Sequence, residues 1–257
     1  MKKGPTSRDW LPLARSERRA AEIPTGAAFR PEWIDFDRGI RVGNLEPHER
    51  ITQILKFGLE QRHGTKFVTD RWGRGVYWQW ICWLPRANRE AKPVSRGTNF
   101  GCAKLYITMN RDQRAFHCGL TVERGYARGR PSIPGILLKP DWDWHRLMAQ
   151  SAAGSDLDRE MHRLILKEGF HASVTGASGT VVFTRKNFTS ARQVRGTARG
   201  APPADWAGFD LYYPMPEKEI RSSSGFDLVR GILGAFAEVV PAMNLCMQIP
   251  LSLPADR

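Results

Sequence analysis

The sequence has no long apolar run and no cysteine pair at the spacing of a zinc site. No stretch approaches the roughly 18 apolar residues of a membrane span, and the basic N-terminus has no apolar segment of signal-peptide length. A thiol in a strand usually behaves as a small apolar side chain. We therefore expect a non-secreted, cytoplasmic protein outside the membrane. The four cysteines are Cys82, Cys102, Cys118 and Cys246.

Short motifs that would assign a common chemistry are also missing. The sequence contains no GxxxxGK[ST] phosphate loop, no GxGxxG dinucleotide motif, no HExxH zinc motif and no GxSxG nucleophile elbow. No cofactor is predicted from these residues. Whether the protein is an enzyme stays open at this point.

Acidic residues are scarce in the first part of the chain. The 257 residues include 39 Lys and Arg against 26 Asp and Glu, a formal net charge of +13. Residues 66–140 alone hold 14 basic and 4 acidic residues, whereas residues 141–257 hold 13 of each. Such a surplus attracts nucleic acid or another polyanion. A solvated, arginine-rich face is the alternative interpretation.

The composition and the apolar periodicity predict one α+β domain. The chain is 41% hydrophobic, which suits a single sizeable core. We expect a basic, Pro-rich arm over residues 1–45, a domain over 46–252 and a tail over 253–257. Helical and two-residue periods alternate, which favours a mainly antiparallel sheet with helices packed on one face. Pro241 is predicted to end the last helix.

A predicted hairpin over residues 100–110 and 115–123 sorts its side chains into one apolar and one polar face. Its register places Thr108 opposite His117. The polar face then gathers a cation, an aromatic ring, a titratable base and a carboxylate. An enzyme acting on a phosphate- or carboxylate-bearing substrate could use this face, whereas a plain solvated face is the alternative. The candidate catalytic residues are Lys104, Tyr106, His117 and Glu123.

The stretch RWGRGVYWQWICWLP, residues 71–85, holds four of the nine tryptophans. A strand over residues 75–84 would turn Trp78 and Trp80 to the same face, where we expect them to be buried. Trp72 lies beside arginines and glycines, so it is expected to be exposed and available for stacking.

An arginine-rich surface in residues 66–130 and 185–199 is the leading candidate for binding nucleic acid. Residues 185–199 carry five positive charges and no acid. A non-catalytic subunit that docks on an acidic protein partner is another possibility. The candidate nucleic-acid-binding residues are Arg71, Trp72, Arg74, Arg111, Arg114, Arg124, Arg128, Arg130, Arg185, Lys186, Arg192 and Arg195.

Two weaker patterns bear on metal chemistry. Asp141, Asp143 and His145 alternate and could hold a metal on an extended chain, but at a helix start the aspartates would cap backbone N–H groups instead. Asp70 followed by Glu90-Ala-Lys92 has the spacing of some metal-dependent nucleases. This assignment is disfavoured because Glu90 falls in a polar loop.

Overall fold

The computed structural model describes residues 26–92, 99–129, 131–132, 134–176 and 179–252. Within these ranges it contains one antiparallel sheet of nine strands and seven α-helices, which confirms the predicted α+β class. The strands are β1 (Ile34–Asp35), β2 (Gly39–Arg41), β3 (Phe67–Arg74), β4 (Tyr77–Pro85), β5 (Ala103–Asn110), β6 (Ala115–Gly125), β7 (His171–Gly176), β8 (Gly179–Phe183) and β9 (Ala207–Pro216). The helices are α1 (Ile51–His63), α2 (Arg86–Glu90), α3 (Asp143–Gln150), α4 (Asp156–His162), α5 (Ala191–Arg199), α6 (Glu217–Ser222) and α7 (Gly225–Cys246).

The strand order is β1-β2-β4-β5-β6-β9-β7-β8, and β3 pairs with β4. The β5–β6 hairpin has the predicted register, with Thr108 opposite His117 and Lys104 opposite Thr121. Strand β9 then adds to β6, and β7 adds to β9. Six strands from β3 to β7 therefore form a continuous antiparallel ladder.

The helices cover one face of this ladder. Helix α7 packs against β5, β6 and β9, while α1, α3 and α4 pack against α7. Trp83 of β4 and Phe236 of α7 meet in this core with ring centroids 5.9 Å apart, and both side chains are fully buried. The opposite face of the ladder is therefore the one left for polar side chains.

Helix α7 continues through Pro241 to Cys246, so the prediction that Pro241 ends it is wrong. Ala242, Met243 and Cys246 are fully buried beyond the proline, and their burial offsets the roughly 3 kcal/mol that an interior proline costs. By length and composition this helix could cross a membrane, since an 18-residue window of it has a mean hydropathy of 1.4, so the prediction that no stretch approaches a membrane span is wrong. Half of that window is buried inside the protein.

Two basic or irregular segments have more structure than the sequence indicated. Residues 191–199, part of the predicted arginine-rich surface, form α5, which begins with a capping box of Ser190 and Gln193 and buries Ala191, Val194 and Ala198. Residues 67–74 form β3, which had not been predicted as a strand.

Part of the predicted N-terminal arm belongs to the sheet. Residues 34–41 supply β1 and β2, and Phe29 and Phe36 are buried in the main core. Residues 1–25 and the predicted tail over 253–257 lie outside the described ranges.

A buried ion pair between Lys92 and Asp143 connects four parts of the chain through hydrogen bonds: α2, β5, α3 and the segment after α7. Lys92 Nζ lies 2.9 Å from Asp143 Oδ1, and neither side chain is exposed. Asn88 accepts two further hydrogen bonds from this ammonium group. The Asp143 carboxylate also accepts hydrogen bonds from the backbone N–H groups of Ala103 and Gln248. Every charge in this cluster is therefore compensated.

Replacing Lys92 with methionine tests the cluster. Lys92→Met leaves the Asp143 carboxylate buried without its cation, so the free energy of unfolding should fall by about 3–5 kcal/mol in urea titrations. The matched control is Lys66→Met, because Lys66 pairs with Glu60 at 3.2 Å while its side chain is 71% exposed, and such pairs contribute at most about 1 kcal/mol. Equal, small losses in both variants would contradict the assignment.

Candidate functional site

The face of the sheet opposite the helices carries three rows of polar and aromatic side chains. Directly paired residues of antiparallel strands point to the same face, so the registers assign each row. The first row is Trp72, Trp80, Thr108 and His117; the second is Asp70, Cys82, Tyr106, Gly119, Tyr212 and His171; the third is Lys104, Thr121, Asp210 and Ser173. We call these three rows the polar face.

Three of the candidate catalytic side chains on the polar face are buried, although a solvated face was one of the two interpretations of the sequence. The exposed fraction is 1% for Lys104, 2% for Tyr106 and 6% for His117. Neighbouring aromatic rings contribute to this burial, because Tyr212 stacks on His117 and the rings of Trp80 and Phe100 lie beside the ammonium group of Lys104. The interpretation of a plain solvated face is therefore wrong for these residues.

Lys104 and Glu123, two of the candidate catalytic residues, form an ion pair. Burial lowers the pKa of Lys104, but the attraction of Glu123 more than compensates and raises it above the ordinary value. Lys104 Nζ also lies 5.5 Å from the ring centroid of Trp80 and 5.9 Å from that of Phe100. Lys104 is therefore held as a paired, charged ammonium group.

Asp210, which was not among the candidate residues predicted from the sequence, is the most perturbed carboxyl group of the polar face. Burial raises its pKa to about 6; hydrogen bonds from Thr121 and Ser173 act in the opposite direction, while the charge of Glu123 raises the pKa further. The alternation in residues 207–216 places Asp210 and Tyr212 on one face. Their position beside the hairpin could be found only by knowing that β9 pairs with β6.

His117 is held neutral in an aromatic stack. Its ring lies on Tyr212 with centroids 4.1 Å apart and an interplanar angle of 19°, and His171 meets the edge of the same tyrosine. Burial, aided by His171, lowers the pKa of His117 to about 4. Its Nε2 is buried and has no hydrogen-bond partner within the described part of the chain. A neutral imidazole and a carboxyl group that titrates near pH 6 could exchange protons with a ligand that reached them.

A β-bulge at Gln79 separates the tryptophans of β4. Trp72 and Gly73 are consecutive on β3, yet they pair with Trp80 and Trp78. The extra residue turns Trp78 to the main core and leaves Trp80 on the polar face. The prediction that these two tryptophans share a face is therefore wrong, and both are only partly buried.

Beyond the bulge, the polar face ends in a cationic and aromatic border. Arg41, Tyr77 and Arg74 form a row across β2, β4 and β3. Arg38 Cζ lies 4.1 Å from the ring centroid of Tyr77, a cation–π contact. Trp72, in the next row, is 69% exposed, as predicted from the sequence. We call these five residues the tryptophan edge.

The tryptophan edge has unneutralised positive charge. In the parts of the chain that the structure describes, no carboxylate lies within 4.0 Å of the guanidinium nitrogens of Arg38, Arg41 or Arg74. Arg111 lies at the same end of the sheet, because its Nη2 donates to Gln79 at 2.9 Å. Arg71 points to the other face and stacks on Trp78, with Cζ 4.2 Å from the ring centroid.

Two of the predicted nucleic-acid-binding arginines instead hold the fold together. Arg114 binds both carboxylate oxygens of Glu217 and one of Asp37. Arg124 donates to the backbone carbonyls of Ala201, Pro202 and Asp205, and burial lowers its pKa. Their donors are used inside the protein.

The remaining candidates lie away from the tryptophan edge. Helix α5, which carries Arg192 and Arg195, packs against β7 and β9 on the helix-covered side. About 24 Å separates β3 from β7, since five inter-strand steps lie between them. Arg185, Lys186 and Arg128 are exposed, and Arg130 lies outside the described residues. The predicted surface is therefore divided between two ends of the sheet.

Asp141, Asp143 and His145 do not come together as metal ligands. Asp143 is occupied by Lys92, while Asp141 accepts a hydrogen bond from the amide of Gln248. Neither aspartate caps α3, whose N-cap residue is Trp142 without a side-chain hydrogen bond. The described residues contain no group of three or more His, Cys, Asp or Glu suited to a metal ion.

The arrangement expected of a nuclease is also absent from the described residues. Lys92 is enclosed by Asp143 and Asn88, whereas Asp70 on β3 accepts a hydrogen bond from Asn99. Glu90 ends the short helix α2 and is exposed. The sequence pattern therefore does not bring its two carboxylates and its lysine into one site.

No protein-family model, curated protein or solved structure matches this chain. Neither a relative nor a fold neighbour thus supplies a substrate, ligand or partner.

Replacing Asp210 tests the electrostatics of the polar face. The pKa of this carboxyl group is about 6 in the folded protein and about 3.9 in an unfolded chain, so the folded state binds the proton more tightly. Wild-type stability should therefore decline relative to Asp210→Asn as the pH rises from about 4 to about 6.

Chemical unfolding of both proteins between pH 4 and pH 7 measures this difference. We expect Asp210→Asn to gain on the order of 2 kcal/mol relative to wild type over that interval. A pH-independent difference would show that the carboxyl group has no raised pKa.

Proposed function

We propose that this protein binds single-stranded nucleic acid at the tryptophan edge. The observation that carries the proposal is the 69% exposure of Trp72 on β3, in a face that also bears Arg74 and Tyr77. An exposed indole ring offers an apolar surface on which a base can stack, worth about 1–3 kcal/mol per base.

The charges around Trp72 suit a phosphate backbone. Arg38, Arg41 and Arg74 belong to the same border and Arg111 lies at the adjacent hairpin turn, so four guanidinium groups share one end of the sheet with the exposed ring of Trp72. Guanidinium groups donate paired hydrogen bonds to phosphate oxygens and stack on aromatic rings. Base stacking and phosphate binding are therefore available side by side.

Single-stranded rather than duplex nucleic acid fits this geometry. Stacking on Trp72 needs a base with a free face, and the bases of a duplex stack on one another. Stacking is also tolerant of sequence, so we expect little preference among bases.

Catalysis at the polar face is the second candidate function. It is favoured by the unpartnered Nε2 of His117 and by the carboxyl group of Asp210, whose pKa is about 6. Lys104, Tyr106 and His117 are buried, however, so a substrate would have to open a path to them. Docking on a protein partner as a non-catalytic subunit stays a prediction.

Replacing Trp72 tests the nucleic-acid proposal. Trp72→Ala should weaken binding of a fluorescently labelled 12-nucleotide single strand about tenfold, because one base loses its stacking partner. Trp72→Phe keeps an aromatic ring and should recover most of the affinity. Fluorescence anisotropy at low salt measures all three proteins.

Phe226→Ala is the matched control for losing an exposed aromatic ring. Phe226 is 45% exposed near the start of α7, on the helix-covered side. This variant should bind the oligonucleotide like wild type. The proposal fails if wild type shows no binding, or if Trp72→Ala binds as tightly as wild type.

A further inference from the structure

Helix α5 and the loop after α3 line a basic pocket of about 490 Å³ that is open to solvent. Arg192, Arg195 and Arg199 are separated by three and four residues, so they share one face of the helix, and Gly196 lies between them. Residues 151–153 form the opposite wall. The other face of α5 is buried in the core through Ala191, Val194 and Ala198. We call this the α5 pocket.

The two walls of the α5 pocket are fixed relative to each other by a buried carboxylate. Asp158, only 6% exposed, accepts the backbone N–H of Gly154 at 2.7 Å and that of Ala191 at 2.6 Å. One residue thus connects the wall formed by the loop to the first turn of α5. These two hydrogen bonds therefore hold the two walls of the pocket at a fixed separation.

The arginines of the α5 pocket have unused hydrogen-bonding capacity. Across the described ranges, no carboxylate lies within 4.0 Å of the guanidinium nitrogens of Arg192, Arg195 or Arg199. Arg195 Nε is buried and has no hydrogen-bond partner in that part of the protein. A buried, unpaired donor is costly and would be satisfied by an anionic oxygen.

Gly196 leaves the centre of the pocket open. A Cβ atom at this position would meet no atom within 4 Å, so a ligand can approach the helix surface between the arginines. Glycine is unfavourable inside a helix by about 0.5–1 kcal/mol relative to alanine, yet here it preserves the space in front of three cations.

From this geometry we propose that the α5 pocket binds a terminal phosphate group. Three guanidinium groups without a neutralising acid match a phosphomonoester, which carries about −1.5 to −2 charges at pH 7, better than a single internal phosphodiester. The group comes from a free phosphorylated small molecule or from the end of a nucleic-acid strand. The site is independent of the proposed function, because it lies on the other side of the sheet from Trp72.

Titration calorimetry with pyrophosphate as the probe tests the pocket. Wild type should bind pyrophosphate, and Gly196→Leu, which fills the open space, should weaken binding at least tenfold. Arg195→Gln removes the unpartnered donor and should also weaken binding at least tenfold. The matched control is Gly234→Leu on α7, an exposed helical glycine where a Cβ likewise meets nothing within 4 Å, and it should bind like wild type.

Two oligonucleotides of one sequence, with and without a 5′-phosphate, show whether the bound phosphate group belongs to a strand end or to a small molecule. A preference of about tenfold for the phosphorylated strand, lost in Arg195→Gln, assigns the site to a strand end. Equal binding of both strands, together with pyrophosphate binding, assigns it to a small molecule. Trp72→Ala should leave pyrophosphate binding unchanged, so failure of the tryptophan edge and failure of the α5 pocket give different results.

The proposal is overturned if wild type does not bind pyrophosphate at millimolar concentration. It is equally overturned if each of the variants Gly196→Leu and Arg195→Gln that is folded binds pyrophosphate like wild type. Thermal unfolding of each variant establishes whether it is folded. If only one of the two variants folds, its pyrophosphate affinity alone is compared with that of wild type.

Discussion

The register of the antiparallel ladder from β3 to β7 is the constraint on which the other features of this protein depend. Side chains on a strand alternate with a period of two, so one shift in register moves every side chain to the opposite face. The β5–β6 pairing sends Leu105 and Phe116 to the helices and Lys104 and His117 to the polar face. The bulge at Gln79 is the local exception that parts Trp78 from Trp80. Together they place buried polar groups and an exposed tryptophan on one continuous face.

The charges of this protein fall into two classes with different roles. Lys92 and Lys104 are buried and paired with Asp143 and Glu123, so they contribute to structure. Arg114 and Arg124 are likewise occupied, by carboxylates and by backbone carbonyls respectively. Among the described residues, groups of arginines without a neutralising carboxylate lie at the tryptophan edge and in the α5 pocket, while Arg128, Arg185 and Lys186 are exposed elsewhere. A net charge of +13 therefore overstates the available positive surface, and its location matters more than its size.

The sequence was sufficient for the features that depend on local pattern. Alternation gave the β5–β6 register and the α+β class, and the setting of Trp72 among arginines gave its exposure. Features that depend on contacts between residues far apart in the sequence could not be predicted from it. Asp210 joins the polar face only through β9–β6 pairing, and Asp143 was expected to cap a helix because nothing local reveals Lys92 as its partner. Helix α5 could have been recognised from Ser190 and Gln193, the two residues of its capping box.

The salt dependence of oligonucleotide binding tests the central claim, that the tryptophan edge binds a phosphate backbone, most directly. Four arginines contact the strand in this account, and each neutralised phosphate of a single strand contributes about −0.7 to the slope of log affinity against log salt concentration. The predicted slope is therefore about −3, and Arg74→Gln should bring it to about −2. Affinity that does not change with salt, or the same slope in Arg74→Gln and wild type, would contradict the account.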